Sequence, residues 1–234
     1  MMTARVALQR RISYDNKPTV LFVAQPMKDV KQPRALETRE KILQAAARLI
    51  ALKGYHDAKL EEVLDAAQVT KGAFFHHFRD REDLGFAVLD WHMEKRRQLL
   101  DAIEQELPVG KKTDPLRHVF RRLDAVQEMV RRREGRKGGC IIGNMSTALS
   151  DCHNGFRKRL AECFDEMAQD FLPSLKAAAQ HGRVSRRTNT TELAQYIVTV
   201  IEGAIMQART LGDATLLPRQ MACLKEHLKK CFAP

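Results

Sequence analysis

The sequence predicts an all-α protein, and three observations carry that prediction. Apolar residues recur at spacings of three and four through most of the chain. No alternating run is long enough to build a sheet, and there is no internal repeat. Glycine- and proline-containing breaks fall at helix-length intervals, notably at residues 135–139, 181–183 and 211–213.

Taken in order, residues 1–34 hold three prolines and no sustained period, which reads as a flexible basic tail. Met27 within it is an alternative start. From Thr38, a suitable N-cap, the run TREKILQAAARLIALKG places Ile42, Ala46, Leu49 and Ile50 on one face and stops at Gly54. Asp57 is a candidate cap for a second helix, AKLEEVLDAA, burying Leu60, Val63, Leu64 and Ala67. The phase breaks at Gln68-Val69-Thr70, and Thr70 can cap a third helix, KGAFFHHF. Short helices with so tight a joint suggest a helix-turn-helix. A long helix follows from Arg81 to Leu107, ended by Pro108 and Gly110, and further helices are expected over 114–134, 140–150, 153–181, 188–211 and 216–231.

Composition narrows the function classes. The 234 residues are 44% hydrophobic and 29% charged, as in soluble globular proteins, and no apolar run approaches a membrane span. Five cysteines form no CxxC pair or zinc pattern, which favours reduced thiols in the cytoplasm. The net charge of +11 is uneven: residues 1–34 carry +5, residues 35–85 carry −1 and residues 86–234 carry +7. DNA binding through the middle segment must therefore rest on which residues face outward, because bulk charge gives only weak steering.

The run TKGAFFHHF, residues 70–78, is the most informative stretch. His76 and His77 point roughly 100° apart on a helix, so they chelate poorly, and no metal or cofactor is expected. Phe74 and Phe78 share a face and read as core. Phe75 and His76 then project away from it, while Lys71, Gly72 and Ala73 stand at the N-terminal turn, where free amides favour phosphate. From chemistry alone two readings are open: a recognition helix for the major groove, or an ordinary amphipathic helix with a solvated Lys and His.

Residues 38–84 resemble the DNA-binding head of the TetR family of transcriptional regulators, through the Gly54-Tyr55 stop, Val63 to Val69, Thr70-Lys71-Gly72, the aromatic run ending at Phe78, and Arg81-Glu82-Asp83-Leu84. The resemblance implies a head at 35–84 and a ligand-binding and dimerisation domain at 85–234. It implies that Thr38 and Lys59 meet phosphate, that Thr70, Lys71, Gly72, Ala73, Phe75 and His76 face the groove, and that Arg81 clamps the backbone. Lys71 is the best candidate for a base contact. Three positions depart from the family pattern. Gln68 stands where glycine is usual, so either the turn is slightly strained or Gln68 adopts the left-handed region; Phe75 replaces a phosphate-binding tyrosine; Arg81 replaces lysine.

The implied protein is a homodimeric, effector-released repressor of a palindromic double-stranded DNA operator. Two stripes in the last two helices are candidates for the dimer contact, and each has a second reading as intrachain core: Leu193, Ile197, Val200, Ala204, Ile205, Ala208 and Leu211, then Leu217, Met221, Leu224, Leu228 and Cys231.

The segment GCIIGN at 139–144 resembles a subgroup signature in the ligand domain of regulators that answer electrophiles or acrylate-like compounds. Cys140 at a helix N-terminus is either a sensing thiol with a lowered pKa or a small packed residue. Trp91, Phe120, Cys140, Met145, Phe164, Met167, Tyr196 and Met206 are candidate pocket walls, which favours a small apolar or electrophilic effector. A thiol enzyme pairing Cys140 with His118 or His153 lacks any supporting acid/base or nucleophile motif, so no enzymatic activity is expected.

Overall fold

The computed structural model describes residues 33–111, 114–132, 139–181 and 189–232. Of the tail expected over 1–34, residues 1–32, with the alternative start at Met27, lie outside the described residues and residues 33 and 34 open a helix; most of the two breaks at 135–139 and 181–183 also lie outside. Ten helices and no strand occur among the described residues. No helix there is long and apolar enough to cross a membrane.

The head comprises α1 (Pro33–Lys53), α2 (Leu60–Ala67) and α3 (Lys71–His77). The 26-residue α4 (Arg81–Glu106) runs from the head into the body. The body adds α5 (Arg117–Arg131), α6 (Ile141–Leu149), α7 (Asn154–Gln169), α8 (Leu172–His181), α9 (Thr190–Leu211) and α10 (Leu216–Cys231). α9 packs on α7, α8 and α10, α5 packs on α4 and α10, and α6 rests on both α1 and α7.

Three local expectations are corrected. Thr38 does not cap α1: the helix starts at Pro33, a residue suited to a first helical turn, and the Thr38 hydroxyl donates back to Arg34 O at 2.8 Å. Asp57 does not cap α2, which begins at Leu60 after an extended Lys59 with no side-chain cap. Burial of Tyr55 and Ala58 draws the turn inward and leaves Asp57 in solvent. The single helix expected over 153–181 is two helices. Pro173 has no N–H for the carbonyl of Gln169 and its ring would clash there, so α7 ends at Gln169.

Head and body meet at an aromatic joint. Gly85 of α4 lets Phe156 of α7 nest against it; a Cβ there would lie 2.8 Å from Phe156 Cζ and 3.0 Å from Tyr55 Cε2. Phe156 stacks on Phe86 with centroids 4.2 Å apart and meets Tyr55 edge-on at 5.3 Å. His153 Nδ1 accepts from Phe156 N–H at 3.1 Å, so its proton sits on Nε2, 3.2 Å from Glu82 Oε1. α6 adds two polar links: Asn144 Nδ2 donates to Ala51 O at 3.2 Å, and His56 Nε2 donates to Ala148 O at 3.3 Å.

Candidate DNA-binding interface

The joint between α2 and α3 is built from backbone geometry. Gln68 ends α2 at φ 56°, ψ 45°, the only positive φ outside glycine among the described residues, as the sequence suggested. Val69 N–H closes back on Leu64 O at 3.0 Å. Thr70 is extended and its hydroxyl accepts from Ala73 N–H at 3.2 Å, so it caps α3. Phe74 and Phe78 are buried and their rings pack 5.4 Å apart. With those two pinned, Lys71, Gly72, Phe75 and His76 are exposed and Ala73 is half-buried; Phe75 presents 51% of its surface. An added Cβ on Gly72 would meet only Thr70 Oγ1, at 3.9 Å, so that turn is sterically bare. His77 lies partly inward, where burial, with His76 and then Arg39 nearby, holds its imidazole below the usual pKa.

The flanking basic residues behave differently. Lys59 is exposed at the start of α2. Arg81 is turned inward: its guanidinium donates to the carbonyls of Tyr55 and, at 3.2 Å, His56, and lies 4.6 Å from the Tyr55 ring centre. In this structure the fork clamps the α1–α2 turn, because it fits two carbonyls and a ring face beside it. Arg79, unremarked in the sequence, is the more exposed cation at this joint and pairs with Asp83 at 3.2 Å.

Two family models match the chain. Residues 42–88 match the bacterial regulatory proteins, tetR family, and residues 115–224 match the tetracyclin repressor-like C-terminal domain. Together they span about two-thirds of the sequence. The chain belongs to the TetR family. Its relatives include the transcriptional regulator AcuR of Cereibacter sphaeroides, 26% identical over 177 residues that cover 76% of this chain and 78% of AcuR. The HTH-type transcriptional repressor NemR of Escherichia coli is 25% identical over 193 residues, covering 81% of this chain and 92% of NemR. A TetR transcriptional regulator from Chloroflexus aurantiacus has the same fold, with a TM-score of 0.72 at 25% identity over 85% of this chain and 97% of that one.

In this TetR-family chain the candidate pocket residues do not converge. Met145 and Met167 are buried, and Phe164 is partly buried against the core. Trp91 sits at the head, donating to Glu40 of α1 at 2.9 Å. Phe120 faces an open groove of about 570 Å³ beside α10, with Lys225 and Lys229 over its ring. Tyr196 and Met206 lie on the outer face of α9, with Met206 63% exposed. Aromatic or thioether character marks bulk, and helix packing decides on which side that bulk falls.

Cys140 sits at the N-cap of α6, and its surroundings favour the second of its two readings, a small packed residue. Burial, then the Glu202 carboxylate, pushes the thiol up to about 12, outweighing the facing Gly143 and Ile142 amides. Sequence reasoning missed Glu202. Its Oε1 is buried without a partner, and burial raises its pKa. Gly143 admits it, since a Cβ there would lie 2.9 Å from Glu202 Oε2. The glycine in the GCIIGN run was the available signal, but its partner 59 positions away was not legible.

Of the two readings of the stripes, intrachain core holds for most of the α10 stripe and for part of the α9 stripe. Ile197 and Ala204 of α9, and Leu217, Met221, Leu224 and Leu228 of α10, are buried within the chain. Leu193, Val200, Ile205 and Ala208 are half-buried and Leu211, at the helix end, is exposed; the side of α9 away from the core carries Tyr196 and Met206, and a Cβ on Gly203 would meet open space.

Proposed function

We propose that this regulator is a repressor that binds a palindromic operator as a homodimer and is released by a small effector. One observation carries the reading. The Thr70-capped α3 buries Phe74 and Phe78 and leaves Lys71, Gly72, Phe75 and His76 outward on a helix short enough to enter a major groove. Residues 35–84 act as the head, with Lys59 adding a phosphate contact at the start of α2, and residues 85–234 as the ligand-binding and dimerisation domain. The protein works in the cytoplasm. That NemR is a repressor supports the direction of regulation.

The copies meet through the outer faces of α9 and α10, where Tyr196, Met206 and Leu211 are exposed beside a bare Gly203. Twofold symmetry then sets the half-sites about one helical turn or more apart. Effector binding in the body reaches the head through the links from α6 to Ala51 and His56 and through α4. The high pKa of Cys140 favours an apolar effector held by packing over one attacked by that thiol.

Selection of bound fragments from random DNA tests the proposal. A near-palindromic site should emerge, and Lys71→Ala should weaken its binding by about five- to 150-fold, at ~1–3 kcal/mol for a base contact, with helicity retained. Recovery of sequence-independent fragments, or an unchanged Lys71→Ala affinity across salt concentrations, would reject it. Screening effectors for release from the recovered site then tests the effector class, and Cys140→Ser should still respond.

A further inference from the structure

One side of α10 carries a cluster that DNA binding does not use. Cys223, His227 and Cys231 recur at every fourth position; Cys223 and His227 are exposed, and Cys231 is half-buried at the edge of the core. His227 Nε2 lies 3.5 Å from Cys231 Sγ. The His227 ring is steadied by Tyr196 of α9, edge-on with centroids 5.3 Å apart. Two of the helix's lysines are already neutralised, Lys225 by Asp124 and Lys229 by Glu226.

The spacing fits a shared ion. A tetrahedral cation with an imidazole nitrogen at about 2.0–2.1 Å and a thiolate at about 2.3 Å sets those donors about 3.6 Å apart. Among the described residues no three His, Cys, Asp or Glu side chains converge within the chain, so one copy supplies half of a tetrahedral set. The Tyr196 that touches His227 belongs to the exposed side of α9, which also shows Met206.

We propose that His227 and Cys231 form a half-site for a thiophilic divalent cation, completed across the twofold axis by the same pair of a second copy. Two imidazole nitrogens and two thiolates are a donor set that zinc takes. On binding, each Cys231 thiol gives its proton to solvent and the sulfur lone pair to the metal. The site rests on the dimer reading above, and the ion would clamp the two copies together.

The test uses the full chain, stripped with EDTA, exchanged into a non-thiol reductant and titrated with zinc chloride. The expected result is one zinc per two chains, with at least a tenfold loss of affinity in Cys231→Ser and in His227→Ala. Cys152→Ser, on an exposed thiol at the end of α6, should bind as wild type does. Wild-type binding no tighter than that of Cys231→Ser overturns the site, and one zinc per chain overturns its sharing. Sedimentation in EDTA separates the two readings. A dimer that takes up no zinc removes the metal site and leaves the dimer standing, whereas a monomer with or without zinc removes both.

Discussion

The helices α3 and α9 are both one-sided, yet they show different things. In α3 the buried positions are filled by its own head, and the opposite side is left to solvent with a lysine, a bare glycine, a phenylalanine and a histidine. In α9 the apolar positions are filled by α7, α8 and α10, and the opposite side still shows Tyr196 and Met206. An apolar stripe is therefore poor evidence of an interface, since intrachain packing claims it first. The residue left over, large and apolar where solvent should be, is the better mark.

The sharpest way to break that contrast lies within α3. Phe74→Ala should cost about 3–5 kcal/mol, because it empties a fully buried ring site against α1. Phe75→Ala, one residue on, should leave stability within about 0.5 kcal/mol, since its ring is half exposed. Urea denaturation of both variants reads the difference. Equal losses would mean that α3 has no outward face.

Next in size is Gly85→Ala at the joint between head and body. The new methyl would press on Phe156, which cannot yield freely because Phe86 stacks on it at 4.2 Å. Overpacking of this kind costs about 1–3 kcal/mol. Thermal unfolding should show the loss, and limited proteolysis should find the head released from α7. Wild-type stability would mean that the two parts of the chain are not packed as tightly as this joint implies.

How much of this was legible follows the same division. The head could be read because its determinants are close in sequence: Thr70 caps a helix three residues away, and Phe74 with Phe78 pack one turn apart. Its misses at Thr38 and Asp57 were local, set by a helix that already starts at Pro33 and by the burial of Tyr55 and Ala58, whereas the inward turn of Arg81 depends on Tyr55 and His56, 26 and 25 positions away. The body could be read as helices and little more. Glu202 facing Cys140, and Pro173 splitting α7 from α8, needed respectively a tertiary neighbour and a closer look at one residue.

Glu202 tests whether the body hides a polar liability. Burial raises its pKa in the folded chain. Below the unfolded value both states are protonated and the group is neutral in its effect. As pH rises above that value the unfolded chain ionises first, so stability falls until the folded pKa is passed. Glu202→Gln removes this slope and should raise the melting temperature at pH 8 while changing little at pH 4. A variant less stable at pH 8 would mean that the ionised carboxylate is welcomed, and the buried site would then suit a cationic effector.

The smallest effect belongs to the turn between α2 and α3, where Gln68 holds φ at 56°. An L-residue in the left-handed region costs roughly 1–2 kcal/mol, and glycine there gives back part of that through its freedom in the unfolded chain. Gln68→Gly should gain about 0.5–1 kcal/mol, or roughly 2 °C in melting temperature for a chain of this size. Gln68 is exposed, so the gain should come from the backbone alone, with operator affinity unchanged. A loss of affinity together with the gain in stability would place the Gln68 side chain at the DNA, and would make its departure from glycine a matter of recognition and not of tolerance.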